Sequence, residues 1–233
     1  MKKFLIATVV LLGSISFANA EQYRVGISVL GGVFEADGAK EVFSGAHAGN
    51  ATATTVTKDA KDENENAEGA FALGSVFAEY QATDQLSVGV SYVPHSSGSE
   101  TAENTQNIVA PVSQPTSTKA INTVKVSFED LVTVYALANL NENFYLKAGV
   151  MQVDLITEEN LGTGGAYGND TLEGYTIGFG YNMDLDDGMF VRAEVAHIEI
   201  DGTTLTNTND STKSVTADGI TGMGAAVSVG KTF

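Results

Sequence analysis

Alternation with a period of two runs through the chain from Tyr23 almost to its end, and no helical period competes with it. Successive side chains of a strand point to opposite faces, so such runs build a sheet with one apolar and one polar face. Eight runs are present. The first sets Tyr23, Val25, Ile27, Val29 and Val33 against Arg24, Gly26, Ser28 and Gly32. The second, about residues 69–80, is apolar on both faces and has no legible phase. In the third, Leu86, Val88, Val90 and Tyr92 oppose Ser87, Gly89 and Ser91. The fourth places Val124, Val126, Phe128, Val132 and Val134 opposite Lys125, Ser127, Glu129, Thr133 and Tyr135. Phe144, Leu146, Ala148 and Val150 alternate with Tyr145, Lys147, Gly149 and Met151 in the fifth. The sixth separates Tyr175, Ile177, Phe179 and Tyr181 from Thr176, Gly178, Gly180 and Asn182; the seventh separates Met189, Val191, Ala193 and Val195 from Arg192, Glu194 and Ala196. The eighth sets Met223, Ala225, Val227, Val229 and Phe233 against Gly222, Gly224, Ser228 and Gly230.

The connections alternate as regularly as the strands. Those after runs two, four and six are short: residues 81–85, 138–143 and 184–188, each holding Asp or Asn, the last a DLDDG turn. Those after runs one, three, five and seven are long: roughly residues 35–68, 94–120, 155–172 and 201–219. Short turns on one rim and long loops on the other fit an outer-membrane barrel, and a soluble sandwich has no reason to alternate loop lengths so regularly. The long loops are polar, one containing DAKDENENAE and another all three prolines (Pro94, Pro111 and Pro115), and are expected to lack packed structure.

The first twenty residues read differently. Met1, Lys2 and Lys3 precede an apolar stretch from Phe4 to Phe17, closed by Ala18-Asn19-Ala20. A basic start, a short apolar core and a small-x-small ending predict a secretory signal peptide cleaved after Ala20. Residues 21–233 are then a single barrel domain. Without Lys2 and Lys3, 10 basic residues face 29 acidic ones, a net charge of −19, which repels nucleic acid. No cysteine is present, so no disulfide framework exists.

Alternation alone does not say which face meets lipid. The polar faces are rich in glycine and small residues, which suits the narrow lumen of an eight-stranded barrel. Aromatics stand near strand ends on the apolar face (Tyr23, Tyr92, Phe144, Tyr175, Tyr181 and Phe233), where interfacial girdles require them. The apolar face therefore points to lipid.

Over the whole exported chain this pattern resembles the small outer-membrane barrels of the opacity, OmpA and OmpX type. The ending AVSVGKTF resembles their terminal assembly signal, with Val227, Val229 and Phe233 at alternate places; Lys231 departs from it, since an apolar residue is usual there. The resemblance implies a Gram-negative outer membrane, contact with lipopolysaccharide, and recognition of the terminal strand by assembly machinery through Phe233. It implies no single function, because such folds serve many.

Arg24, Lys147, Arg192 and Glu194 fall on the inner face, and Lys125 and Glu129 on the same face nearer the loops. They could line an ion-selective lumen, but unpaired buried charge is costly, so a closed plug of mutual ion pairs is the expected arrangement. His95, Ser96 and Ser97 top strand three and His197 tops strand seven. The resemblance extends to lipid A deacylases of this size, which use His, Ser and Glu together. Here no acid is assigned to orient the imidazole, and loop polarity accounts for both residues. Asp62, Glu63, Glu65 and Glu68 are hard oxygen ligands, yet they lack the glycine turn of an EF-hand and read as a solvated acidic loop. Asp130 interrupts the apolar set of strand four, as a bulge or an interfacial position would.

The expectation is thus an all-β, monomeric, eight-stranded antiparallel up-and-down transmembrane barrel with periplasmic termini. No catalytic, cofactor or metal residue is assigned, and the expected role is structural and surface-interacting rather than enzymatic. A narrow passive channel is the alternative, and a lipid A-modifying enzyme a more distant one.

Overall fold

The computed structural model describes residues 23–36, 39–43, 67–98, 102–108, 118–161, 165–209, 211 and 213–233. Residues 1–20, and with them the expected signal peptide, lie outside the described residues, as do Asp62, Glu63, Glu65, Pro111 and Pro115.

Eight long strands form the wall: β1 (Tyr23–Ala36), β3 (Ala67–Thr83), β4 (Leu86–Tyr92), β7 (Thr118–Asn139), β8 (Phe144–Leu161), β9 (Asp170–Asp184), β10 (Met189–Ile200) and β13 (Ile220–Thr232). Each pairs antiparallel with its neighbours, and β4 pairs with β7 while β13 pairs with β1, so the sheet closes on itself. Closure leaves no open edge in hydrocarbon, where an unpaired peptide group has no water to bond. The seal between first and last strands runs to the end of the chain: the Phe233 amide donates to the Tyr23 carbonyl at 2.8 Å.

The stagger of the barrel can be read from the ladder. From Glu68 the paired row passes through Glu35, Thr221, Glu199, Tyr175, Val150, Val134 and Val90, and returns to β3 at Ala78, ten residues from its start. A row so displaced means strongly tilted strands.

Short turns close one rim. The Asn141 side-chain oxygen accepts from the amides of Asn143 and Phe144, and Thr83 Oγ1 accepts from those of Gln85 and Leu86. The DLDDG segment is a 3-10 turn with Asp187 and Gly188 at φ 59° and 74°, left-handed angles that Asp tolerates and Gly adopts freely. It is a turn, as its composition implies.

The other rim corrects the expected loops. The strands run on into the expected loops, β8 reaching Leu161 and β7 beginning at Thr118. Short strands β5 (Ser97–Gly98) and β6 (Ala102–Ile108) continue along β7. Strands β11 (Thr203–Thr206), β12 (Lys213–Ala217) and β2 (Ala39–Phe43) make a separate three-stranded sheet, joining the first and last long connections. Ser/Thr-rich segments hide such strands, because their two faces differ little in polarity.

The exterior is an aliphatic belt. Val25, Ile27, Val29, Val33, Val150, Ile177, Val195, Met223 and Val227 all stand exposed on the outer face. Aromatic pairs flank it near the turns: Tyr23 with Tyr80, and Phe144 with Phe179 and Tyr181. An apolar exterior around a polar, glycine-rich interior is the inverse of a soluble barrel, and this one is an outer-membrane barrel.

Candidate functional site: the lumen

The interior falls into two halves. Near the short turns the ladder points Arg24, Glu79, Tyr135, Tyr145, Lys147, Arg192 and Glu194 inward from five strands. Arg192 is the hub. Its two terminal nitrogens reach the two carboxylate oxygens of Glu79 at 2.5 and 2.7 Å, a bidentate bridge across the lumen from β10 to β3. The Arg192 and Glu79 side chains are only 6% and 1% exposed, so neither charge has water as a substitute partner. Arg192 Nε donates to Asn182 at 3.0 Å, and Asn182 donates in turn to Asp184 at 2.9 Å.

A second pair is linked to the first through tyrosines. Lys147 Nζ lies 2.9 Å from Glu194 Oε1, and the Tyr145 hydroxyl donates to the other Glu194 oxygen at 2.9 Å. The Tyr135 hydroxyl donates to Glu79 at 2.8 Å, while Lys147 sits 4.7 Å from the Tyr135 ring centre. Rings fill the remaining space. The Arg192 guanidinium lies 4.7 Å from the centre of Phe190, 5.5 Å from Tyr145 and 5.8 Å from Phe77. Two glycines make room for these rings: a Cβ at Gly180 would stand 2.2 Å from Tyr145, and one at Gly230 would stand 2.3 Å from Phe190.

Of the charges expected inside, Arg24, Lys147, Arg192 and Glu194 are all there. Glu79 was missed, because its strand is apolar on both faces and showed no phase. Tyr80 held the usable signal: an aromatic at the turn-side girdle faces out, which turns Glu79 inward.

Lys125 and Glu129 are not in the lumen, contrary to the expectation. The ladder shifts register between Glu129 and Val132, and Asp130 carries φ 52°. This bulge settles the two readings of Asp130, and its extra residue reverses the faces of β7 above it. Lys125 therefore faces outward, 3.4 Å from Glu158, with both side chains exposed, and Glu129 is exposed too. Val126 and Phe128, expected to face lipid, turn inward and pack against Val153, Leu155 and Leu172 with Leu131, Ile200 and Leu205. Above the ion pairs the lumen therefore holds a buried apolar cluster.

The remaining candidates are scattered. His95 Nε2 accepts from the Gly74 amide at 2.9 Å, and Ser97 lies in β5 opposite Phe128. His197 faces outward from β10, 3.8 Å from Glu199, whose carboxylate also accepts from the Tyr175 hydroxyl. Glu68 faces outward opposite Glu35. Among the described residues no group of three or more His, Asp or Glu is arranged to hold a metal ion.

No family model matches the chain, and no curated protein matches it. Among solved structures it is similar to the outer membrane protein AlkL in lipid bilayers, with 12% identity, 94% of each chain covered and a TM-score of 0.43. It is also similar to the outer membrane protease OmpT of Escherichia coli (11% identity, 94% of this chain and 99% of that one, TM-score 0.41). A third similarity is to OprG of Pseudomonas aeruginosa (11% identity, 90% of this chain and 99% of that one, TM-score 0.36). At this level of similarity the architecture rests on the closed ladder and apolar exterior described above.

Proposed function

We propose that this chain is a non-conducting outer-membrane barrel with a structural and surface-presenting role, with neither a through-pore nor a catalytic step. The observation that carries the reading is the buried bidentate pair of Arg192 and Glu79, which crosses the lumen and is wedged by Phe77, Tyr145 and Phe190. An eight-stranded lumen has about the width that side chains fill, so a bridge across it leaves no continuous water path. The outer rim supports a surface role, because strands from three of the long connections extend the wall or stand above it.

Planar-bilayer recording of the purified, refolded protein tests this directly. No stable unitary steps are expected; reproducible steps from the pure monomer would establish the passive-channel alternative. Lipopolysaccharide is the proposed lipid partner of the belt, and assembly machinery the proposed partner of β13 with Phe233. Deleting Phe233 should lower the amount of heat-modifiable protein in the outer membrane far more than the refolding yield in detergent. Equal yields in both would remove the terminal aromatic from that role.

A further inference from the structure

The barrel wall has one irregular seam. Strand β4 ends at Tyr92, whose partner on β3 is Val76, whereas β3 itself continues to Ala67. Above Val76, β3 is paired with β1 on one side and with no strand on the other, among the described residues. The chain leaving β4 turns toward β7 instead: the Val93 amide donates to the Leu131 carbonyl at 3.0 Å, and the Tyr92 hydroxyl donates to Asp130 at 2.7 Å. Both bonds end on the β7 bulge.

At this point the Gly74 amide, two residues beyond the last β3–β4 pair, donates to Nε2 of His95 at 2.9 Å. A side chain stands where the next rung of backbone would be. A Cβ at position 74 would lie 3.8 Å from His95 Nε2, an ordinary contact, so the bond does not depend on glycine there. An imidazole nitrogen accepts a hydrogen bond only while it carries no proton. The tautomer that accepts at Nε2 has its proton on Nδ1, which lies 3.5 Å from the Ser96 carbonyl.

We propose that His95 is a pH-sensitive latch on the β3–β4 seam, closed while its ring is neutral and released when the ring is protonated. The imidazolium has two donors and no acceptor, so it faces the Gly74 N–H with a like partial charge. The closed seam binds fewer protons than the open one, so by linkage closure strengthens as pH rises and weakens as pH falls. Among the described side chains, the charged and titratable groups on the strands around the ring are Glu68 and Tyr80 facing outward and Glu79 facing inward on β3, Tyr92 on β4, and Lys125, Glu129, Asp130 and the inward-facing Tyr135 on β7. Tyr92 and Asp130 bind each other and Lys125 binds Glu158, so the ring nitrogens are left to Gly74 and Ser96. Release frees residues 93–98 from β3 and leaves the bonds to β7 in place.

The test is amide hydrogen exchange of Gly74, read by NMR on the refolded full chain in detergent or nanodiscs at pH 7.5 and 5.5. After correction for intrinsic exchange, wild-type protection should fall roughly tenfold at the lower pH, while that of Ala78 within the ladder stays constant. His95→Gln, a neutral acceptor of similar reach, should keep Gly74 protected at both pH values. His95→Ala should leave it unprotected at both. Wild-type protection that does not change with pH, or His95→Ala protection equal to wild type, overturns the proposal.

Discussion

The two halves of the lumen solve the same packing problem in opposite ways. Near the short turns, charges are buried and made tolerable by mutual pairing: Arg192 with Glu79 and Lys147 with Glu194, knit by Tyr135 and Tyr145. Toward the outer surface, Val126, Phe128, Val153, Leu155 and Leu172 make an ordinary apolar core, while Lys125 and Glu158 stand outside. The first solution gives directional contacts that fix the strands carrying them relative to one another. The second gives cohesion without direction. One residue separates them on β7: the bulge at Asp130 exchanges inside for outside without changing the pattern of the chain.

The largest expected effect follows from removing that device. Deleting Asp130 while keeping the register below it would turn Lys125, Ser127 and Glu129 inward and Val126 and Phe128 outward. Burying two unpaired charges costs several kcal/mol each. Little or no heat-modifiable, folded protein should be recovered. A native yield would show that β7 is not committed to its faces above the bulge.

Glu79→Ala comes next. It leaves the Arg192 guanidinium buried without its bidentate partner and removes the acceptor of Tyr135, so destabilisation of about 3–5 kcal/mol is expected. Urea unfolding in lipid vesicles measures it. Glu194→Ala should cost less, because the Lys147 side chain is 19% exposed and has a route toward water. Equal losses would mean that the two pairs act as one unit. For the apolar half, Leu172→Ala should cost about 2–4 kcal/mol by opening a cavity against Val153 and Leu155. Like that of Glu79→Ala, whose ion pair is buried away from solvent ions, its effect should depend little on salt.

The barrel itself was legible in the sequence, the division of its lumen was not, and the reasons are physical. All eight strands, the short turns and four of the lumen charges followed from alternation, since a face in lipid and a face in a narrow lumen must differ in chemistry. Strand β3 gave no phase, because Phe71, Leu73 and Phe77 face inward while Ala70, Ala72, Val76 and Ala78 face outward, and both sets are apolar. Glu79, the partner of the central arginine, was therefore invisible. The upper part of β7 was misread for another reason. Val126, Phe128, Val132 and Val134 all occupy even positions, and a single extra residue at Asp130 sends the first two inward and the last two outward. Counting by twos cannot detect an insertion of one.

The smallest prediction is also the most direct measure of which way β7 faces. Lys125 and Lys147 each form an ion pair with a glutamate on another strand, and sequence put both in the lumen. Lys147 stands among buried rings and its nitrogen lies 2.9 Å from Glu194; Lys125 lies 3.4 Å from Glu158, with side chains 40% and 62% exposed. Water and salt screen the second pair, so Lys125→Ala should change stability by about 0–1 kcal/mol. Lys147→Ala strands Glu194 beside Tyr145 and should cost clearly more in the same vesicle assay. A cost for Lys125→Ala matching that of Lys147→Ala would place Lys125 back inside the barrel and abolish the reversal at Asp130. A small, salt-sensitive cost keeps it on the outer wall, where the bulge turns it.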